Sequence, residues 1–392
     1  MVDQKGDKVL PLDDITVLDF ARGYPGSYGA MFLADFGSRV IRVDPPRGGL
    51  FTSQQEAAFQ ATYRNKESIV VDLSLEAGRE VLYRLVRIAD VLVEGFRPGV
   101  MKRLGADYPT LKGLNPRLIY CSVSGFGQDG PYAHLPAHDM NFLAIAGALS
   151  MIGPRDGKPC RGNYIADMGG AGLHTALGIL LALAAREKSG RGQLVDVSYL
   201  DGTLSLMTFD LSTYFSTGVP PRRGETRTTA GQVTHQVYRC RDGEYFTTAC
   251  TEVHFWENLC RALGREDLVP YRLARGEERE RVVAELAAIF ATRSREEWFQ
   301  FFQDKNVCAG PVNYIEEAVR YPQVLHRQMV VEVDHPTLGK VKQVGIPIKL
   351  QDTPGQVRWL GVSQGAHTDR VLAELGYSSK EIGELRRSGV VN

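Results

Sequence analysis

The sequence predicts an α/β protein built on a parallel sheet with helices on both faces. Three observations carry this. Short runs of β-branched and aliphatic residues alternate with helix-length segments. Those runs are continuously apolar rather than alternating, as strands buried on both faces are. Two strand–helix–strand units also follow one another toward the N-terminus.

The elements follow in order. The run ITVLDFA (15–21) reads as a buried strand. PGSYGAMFLADFG opens with Pro25 and closes with Gly37, a helix start and stop. RVIRVDPP is a second strand. SIVVDLS, EAGREVLYRLVRIA and DVLVEGF repeat the unit, and RLIYCSVSGFG adds a strand. QLVDVSYLDGTLSLMTFDLSTYF begins strand-like and continues helical. GVPPRRGETRTTAGQ (218–232) is rich in Gly, Pro, Arg and Thr and reads as a linker or mobile loop. HQVYRCRDGEYFTTAC is a hairpin turning at Asp242–Gly243. Helical segments follow it, then a second hairpin turning at Gly339 and two amphipathic C-terminal helices. Two domains fit this pattern, with a boundary near 200–225.

The 392 residues include 46 Lys+Arg and 46 Asp+Glu, a formal net charge of zero. This disfavours a nucleic-acid partner, which would select a basic excess. The six cysteines are scattered without a CxxC pair, as expected of free thiols in a reducing compartment. The N-terminal stretch MVDQKGDKVLPLDD is polar and acidic rather than signal-like. The run GILLALAA is short against the ~20 residues of a membrane span. A soluble cytoplasmic protein with no membrane partner is expected.

Several residues are placed to carry chemistry. The glycines of ARGYPGSYGAMFLADFG are spaced GxxGxxG, so the dinucleotide fingerprint GxGxxG is absent. Arg42 lies near the end of the second strand, two residues before Asp44. Lys66 precedes a strand, and Arg97 and Arg103 follow one. Together these four cations read either as a cradle for a polyphosphate or as a solvated face. His138 stands ahead of a helix start that Asp139 is suited to cap. Asp167, in YIADMGGAGL, precedes a glycine cluster and a long apolar helix. It reads either as an N-cap or as an acid sharing a substrate carbonyl with the amides beyond it. Glu252 ends a strand and begins a helix, most simply as a helix-start acid.

Nine ordered segments, among them MFLADFGSRVIRVDPP, ADVLVEGFRPGVMKRLG, AHDMNFLAIAGALSMIG, NYIADMGGAGLHTALGILLAL and HTDRVLAELGYSSKEIGELRRSGVV, run from near residue 12 to the C-terminus. Together they resemble the class III CoA-transferase family, closest to its α-methylacyl-CoA racemase branch. The resemblance implies a Rossmann-like large domain with a smaller α+β domain and an interlocked homodimer. The first part of the large domain would span 1–200, a linker 201–224, the small domain 225–325, and a linker and return to the large domain 326–392.

For this family the resemblance implies an acyl-CoA thioester as substrate, with coenzyme A entering as part of it, no permanently bound cofactor and no metal. Arg42, Lys66, Arg97 and Arg103 would bind the CoA. In the racemase branch Asp167 and His138 would be opposed acid/bases and Glu252 would hold His138; amides at the start of the helix after Asp167 would stabilise the enolate. In a transferase Asp167 would be the nucleophile, and a non-catalytic CoA-binding homologue is the third possibility. The sequence departs from the racemase pattern at Phe142, where a Tyr is usual, and in the TEVHF and TTAGQVTHQVY stretches, all expected along the acyl chain.

Overall fold

The computed structural model describes residues 9–21, 23–46, 61–160, 162–335 and 338–392. Most of the polar N-terminal stretch therefore lies outside the described residues. The chain forms two compact units. The larger takes residues up to Ala146, Asn163–Met207 and Pro322–Asn392; the smaller takes Gly147–Gly162 and Thr208–Tyr321.

Six strands form the sheet of the larger unit: β1 (Thr16–Phe20), β2 (Arg39–Asp44), β3 (Lys66–Val70), β4 (Val91–Glu94), β5 (Ile119–Ser124) and β6 (Leu194–Ser198). All neighbours are parallel, in the order β3-β2-β1-β4-β5-β6. This is the doubly wound Rossmann order, which reverses direction between β1 and β4. The apolar residues of β1 to β5 are buried on both faces, as their unbroken hydrophobic runs require, while the edge strand β6 leaves Leu194 exposed.

On one face lie helices α1 (Tyr24–Asp35) and α4 (Leu173–Ser189), whose Ala30, Leu33, Ala34, Ile179 and Ala182 join the strand residues in one core. The other face is covered by α2 (Glu76–Ile88). Its Gly78, Val81, Leu82, Leu85 and Val86 recur at helical spacing and are buried. Between these helices in the chain lies α3 (Asp139–Ile145), which belongs to the site.

The C-terminal residues return to the larger unit. Val371 and Leu372 of α9 (Thr368–Glu374), Ile382 of α10 (Ser379–Arg387), and Val390 and Val391 enter the same core as α2. This return also closes the free edge of β3. The Ser68 N–H donates to Nδ1 of His367 at 3.2 Å, and the His367 N–H donates to the Ser68 carbonyl at 2.9 Å. The Val70 N–H reaches Thr368 Oγ1 at 3.2 Å, and the Asp72 N–H reaches the Val390 carbonyl at 2.8 Å. An edge strand left bare would template pairing with other chains. A second hairpin, β10 (Val330–His335) with β11 (Gly339–Val344), also belongs to this unit.

The smaller unit has a three-stranded antiparallel sheet: β7 (His235–Arg239), β8 (Tyr245–Ala249) and β9 (Ala309–Pro311). The β7–β8 turn sits at Asp242–Gly243, where Gly243 has φ +86°. Helices α6 (Val253–Ala262), α7 (Gly276–Phe290) and α8 (Arg295–Phe302) pack on it through buried Trp256, Phe290, Trp298 and Phe302, with Trp298 stacked on Phe302.

Three sequence expectations change here. The segment 147–162 groups with the smaller unit rather than the larger. The stretch 218–232 is a stitched loop rather than a free linker. Arg223 donates to the carbonyls of Ser150 (2.9 Å), Pro154 (2.8 Å) and Gly157 (2.6 Å), while the Gly231 N–H donates to the Thr226 carbonyl at 2.7 Å. Finally, residues 165–189 form one continuous helical run, long and apolar enough by length and composition to cross a membrane. The run GILLALAA understated its length. Ile179 and Ala182 on this run are buried in the sheet core, and Arg186 pairs with Asp90 at 2.9 Å.

The His367 contact makes the fold pH-sensitive. Burial lowers its pKa, as does the nearby Arg370, and Nδ1 must be unprotonated to accept the Ser68 N–H. The unfolded chain then binds the proton more readily, so stability is full above about pH 6.5 and falls as pH drops toward the depressed folded value. Urea midpoints should therefore fall on acidification through this window. The His367→Gln protein should show a shallower fall, measured by tryptophan fluorescence across a pH series.

Candidate active site

Asp167 is held in an unusual piece of helix. Residues Ile165–Gly172 form a π-helical turn that runs directly into α4. Tyr164 before it adopts φ +40°, a costly conformation for an aromatic residue. Asp167 is the third residue of the turn and is half-buried, so it is not an N-cap. Nor do the first amides here wait for a substrate oxygen. The Ala166 and Asp167 N–H groups both donate to Asp139 Oδ1 at 3.0 Å, and the Met168 N–H donates to the Tyr164 carbonyl at 2.9 Å. The expected oxyanion role for amides at a helix start after Asp167 is corrected, because the helix starts before Asp167.

The glycines around Asp167 serve close helix packing. A Cβ on Gly202, within α5 (Tyr199–Leu206), would lie 1.8 Å from the Gly170 carbonyl oxygen. A Cβ on Gly172 would meet Tyr28 at 2.8 Å, and one on Gly29 would meet Thr175 at 2.6 Å. The wide turn is thus wedged between α1 and α5 at distances only glycine permits.

His138 and Asp139 arrive on α3. The expected roles at this helix start are reassigned. His138 takes the N-cap position, and its N–H donates to Asn141 Oδ1 at 3.1 Å. Asp139 is only 2% exposed and turns inward to the π-helical turn. His138 itself is exposed. Because Asp139 follows His138 and grips the amide of Asp167, these two candidate catalytic residues are brought to one place. Phe142, one turn on, is buried against Tyr199 (4.7 Å between centroids) and Phe126 (5.3 Å).

Two tyrosines next to Asp167 were not singled out in the sequence. Burial raises the Tyr24 pKa, with Tyr164 and Asp167 adding to it. Burial raises Tyr199 further, and the Asp167 charge again adds. Both phenols therefore stay neutral and able to donate. Their signal was weak, since a tyrosine at a helix start is common in any core.

The four predicted cations divide. Arg42 on β2 is 6% exposed; its guanidinium bonds Asp44 at 2.7 Å and Ser68 at 3.1 Å and stacks over Tyr63 at 4.0 Å. Tyr63 is pushed up to about 12, chiefly by burial. Arg97 and Arg103, beyond the carboxyl end of β4, are exposed. Lys66 is a correction. It is 1% exposed, and its ammonium donates to Asp19 at 2.7 Å, the Ser27 carbonyl at 2.8 Å and Ser27 Oγ at 2.9 Å. All three donors are used inside the protein, which leaves none for a phosphate.

Glu252 belongs to the smaller unit, where it is the exposed N-cap of α6. His235 of that unit bonds Thr251 at 3.2 Å, and its pKa is lowered by burial and Arg227 and raised by Glu252. Among the described residues no cluster of three or more His, Cys, Asp or Glu is placed to hold a metal.

The strand order defines a doubly wound protein, a class whose ligands bind where the winding reverses. The family is narrower. The family model described as CoA-transferase family III matches residues 12–368, and the chain belongs to this family. It is 34% identical to human alpha-methylacyl-CoA racemase over 384 residues, covering 97% of this chain and 98% of that one. It is 35% identical to acetyl-CoA:oxalate CoA-transferase of Acetobacter aceti over 354 residues, covering 87% and 89%. Among solved structures, a CAIB/BAIF family protein from Brucella suis matches with a TM-score of 0.80 at 30% identity, covering 94% of this chain and 100% of that one.

The two roles considered for Lys66 separate experimentally. Lys66→Met leaves the buried Asp19 carboxylate without its opposite charge, so stability should fall by about 3–5 kcal/mol. The double variant Lys66→Met, Asp19→Leu should recover much of it in denaturant melts. A lysine serving only as a phosphate ligand would instead change ligand affinity and leave the melts unmoved.

Proposed function

We propose that the protein is an acyl-CoA epimerase that inverts the α-carbon of a 2-methylacyl-CoA thioester. The observation that supports this reading is the bond from the Asp167 amide to the side chain of Asp139, the residue that follows His138. The likeness to the human racemase supports it. One base removes the α-proton, and the C–H electron pair moves into the thioester carbonyl to give an enolate. The other base then delivers a proton to the opposite face. His138 serves one face and Asp167 the other. A positioned base typically contributes 10²–10⁴-fold. Arg97, Arg103 and Arg42 hold the anionic end of coenzyme A.

The protein acts as a homodimer in a reducing cytoplasm. Support comes from an exposed apolar stripe on α4, formed by Leu173, Leu177, Leu180 and Leu181, and from the free state of all six cysteines.

A second reading has its own support. The Acetobacter aceti transferase is as similar as the racemase. There Asp167 attacks the thioester carbonyl, expelling CoA thiolate and leaving an aspartyl anhydride. The thiolate then forms an aspartyl-CoA thioester and releases the first acid.

The readings part in D₂O. With one chiral 2-methylacyl-CoA and no carboxylate acceptor, deuterium should enter the α-carbon as the chirality is lost. No uptake, with CoA exchange appearing once a carboxylate is added, would sink the epimerase. Asp167→Ala should abolish activity. His138→Ala should lower epimerisation by at least about 10²-fold, and full retention would remove His138 as a base.

A further inference from the structure

The two proposed bases reach the site on pieces of chain with no continuous secondary structure between them. His138 stands at the start of α3 and Asp167 in the π-helical turn. The residues between, 147–162, group with the other compact unit, so the chain leaves the larger unit and re-enters it just before Tyr164. A pair of bases must be fixed to a fraction of an ångström, and a displacement of about 1 Å can cost 10²-fold in rate. Something must carry position from one segment to the other.

We propose that Asp139 is the positioning residue that holds His138 and Asp167 in register, its buried carboxylate clamping the first amides of the π-helical turn. Three observations converge on it. One oxygen, Oδ1, takes the N–H groups of two successive residues, Ala166 and Asp167, each at 3.0 Å. The side chain is 2% exposed, so these bonds are little contested by water. The cap of α3 is supplied by Asn141 through the His138 N–H, which frees the Asp139 side chain from the usual duty of an acid at a helix start. Asp139 thus joins the backbone of one base to the residue beside the other. It touches no reacting atom in this role.

The proposal rests on the epimerase reading and makes a claim that loss of fold would not imitate. Without the clamp His138 keeps its place on α3 while Asp167 drifts. An enantiomer whose α-proton faces His138 is then deprotonated and reprotonated on the same face. It exchanges its proton with solvent without inverting.

The test measures solvent deuterium uptake and inversion separately, from each enantiomer of one 2-methylacyl-CoA, in full-length protein. In Asp139→Ala, inversion should fall about 10²-fold while exchange from one enantiomer stays within a few-fold of wild type. Asp139→Asn keeps a carbonyl acceptor without the charge and should fall between the two. If Asp139→Ala does not fold, the Asn protein decides alone: a raised ratio of exchange to inversion supports the clamp, and the wild-type ratio overturns it. Exchange and inversion falling in equal proportion also overturns it. Wild-type protein that exchanges no α-proton defeats the epimerase reading instead. The clamp is then judged by CoA exchange between carboxylic acids, where an unchanged kcat in both variants overturns it.

Discussion

The site depends on a buried ammonium. Lys66 opens β3, yet its ammonium bonds Asp19 of β1 and Ser27 of α1. Asp19 uses its other oxygen to take the Ala21 N–H at 2.9 Å. One cation therefore fixes the end of β1, the turn after it and the first turn of α1. Burial lowers the Lys66 pKa, and the Asp19 carboxylate opposes that shift. Such a pair adds little net stability over an apolar substitute. Its consequence is geometric, since α1 cannot shift without breaking it.

A fixed α1 makes the π-helical turn possible. Gly29 of α1 meets Thr175, and Tyr28 meets Gly172, both at distances that exclude a Cβ. From the other side Gly202 presses on Gly170. The turn is confined between two helices and widens to fit. The left-handed backbone of Tyr164 carries a strain of about 1–3 kcal/mol, and the two bonds to Asp139 help offset it. Tight walls and a strained entry hold Asp167 in a half-buried position that an ordinary N-cap would not give it.

Much of this fold was legible in the sequence, and the misses share a cause. The strands stood out because β-branched runs without polar interruption suit only strands covered on both faces. The hairpins stood out because Asp242–Gly243 and Gly339 provide positive-φ turns. Asp167 and His138 were flagged by residue type beside helix starts. Lys66, Asp139 and the loop at 218–232 were misread because their partners are distant in the chain. Lys66 bonds residues in β1 and α1, Asp139 bonds residues 27 and 28 positions on, and Arg223 bonds carbonyls 66 to 73 positions back. Local pattern assigned each its commonest exposed role. Periodicity likewise cannot distinguish a single π turn from an α turn within a glycine-rich stretch.

The choice between proton transfer and CoA transfer turns on water. An aspartyl anhydride is hydrolysed wherever water reaches it, so a transferase needs Asp167 covered throughout the reaction. In the chain taken alone Asp167 is half-buried and His138 is exposed. For a transferase, bound substrate would have to complete that cover. An enolate is less demanding. Its proton can exchange with solvent between two bases without losing the acyl group, and the clamp on Asp167 meets its main need, which is alignment. The same carboxylate can serve either chemistry, and the bonds of the Ala166 and Asp167 amides to Asp139 hold its backbone in place for both.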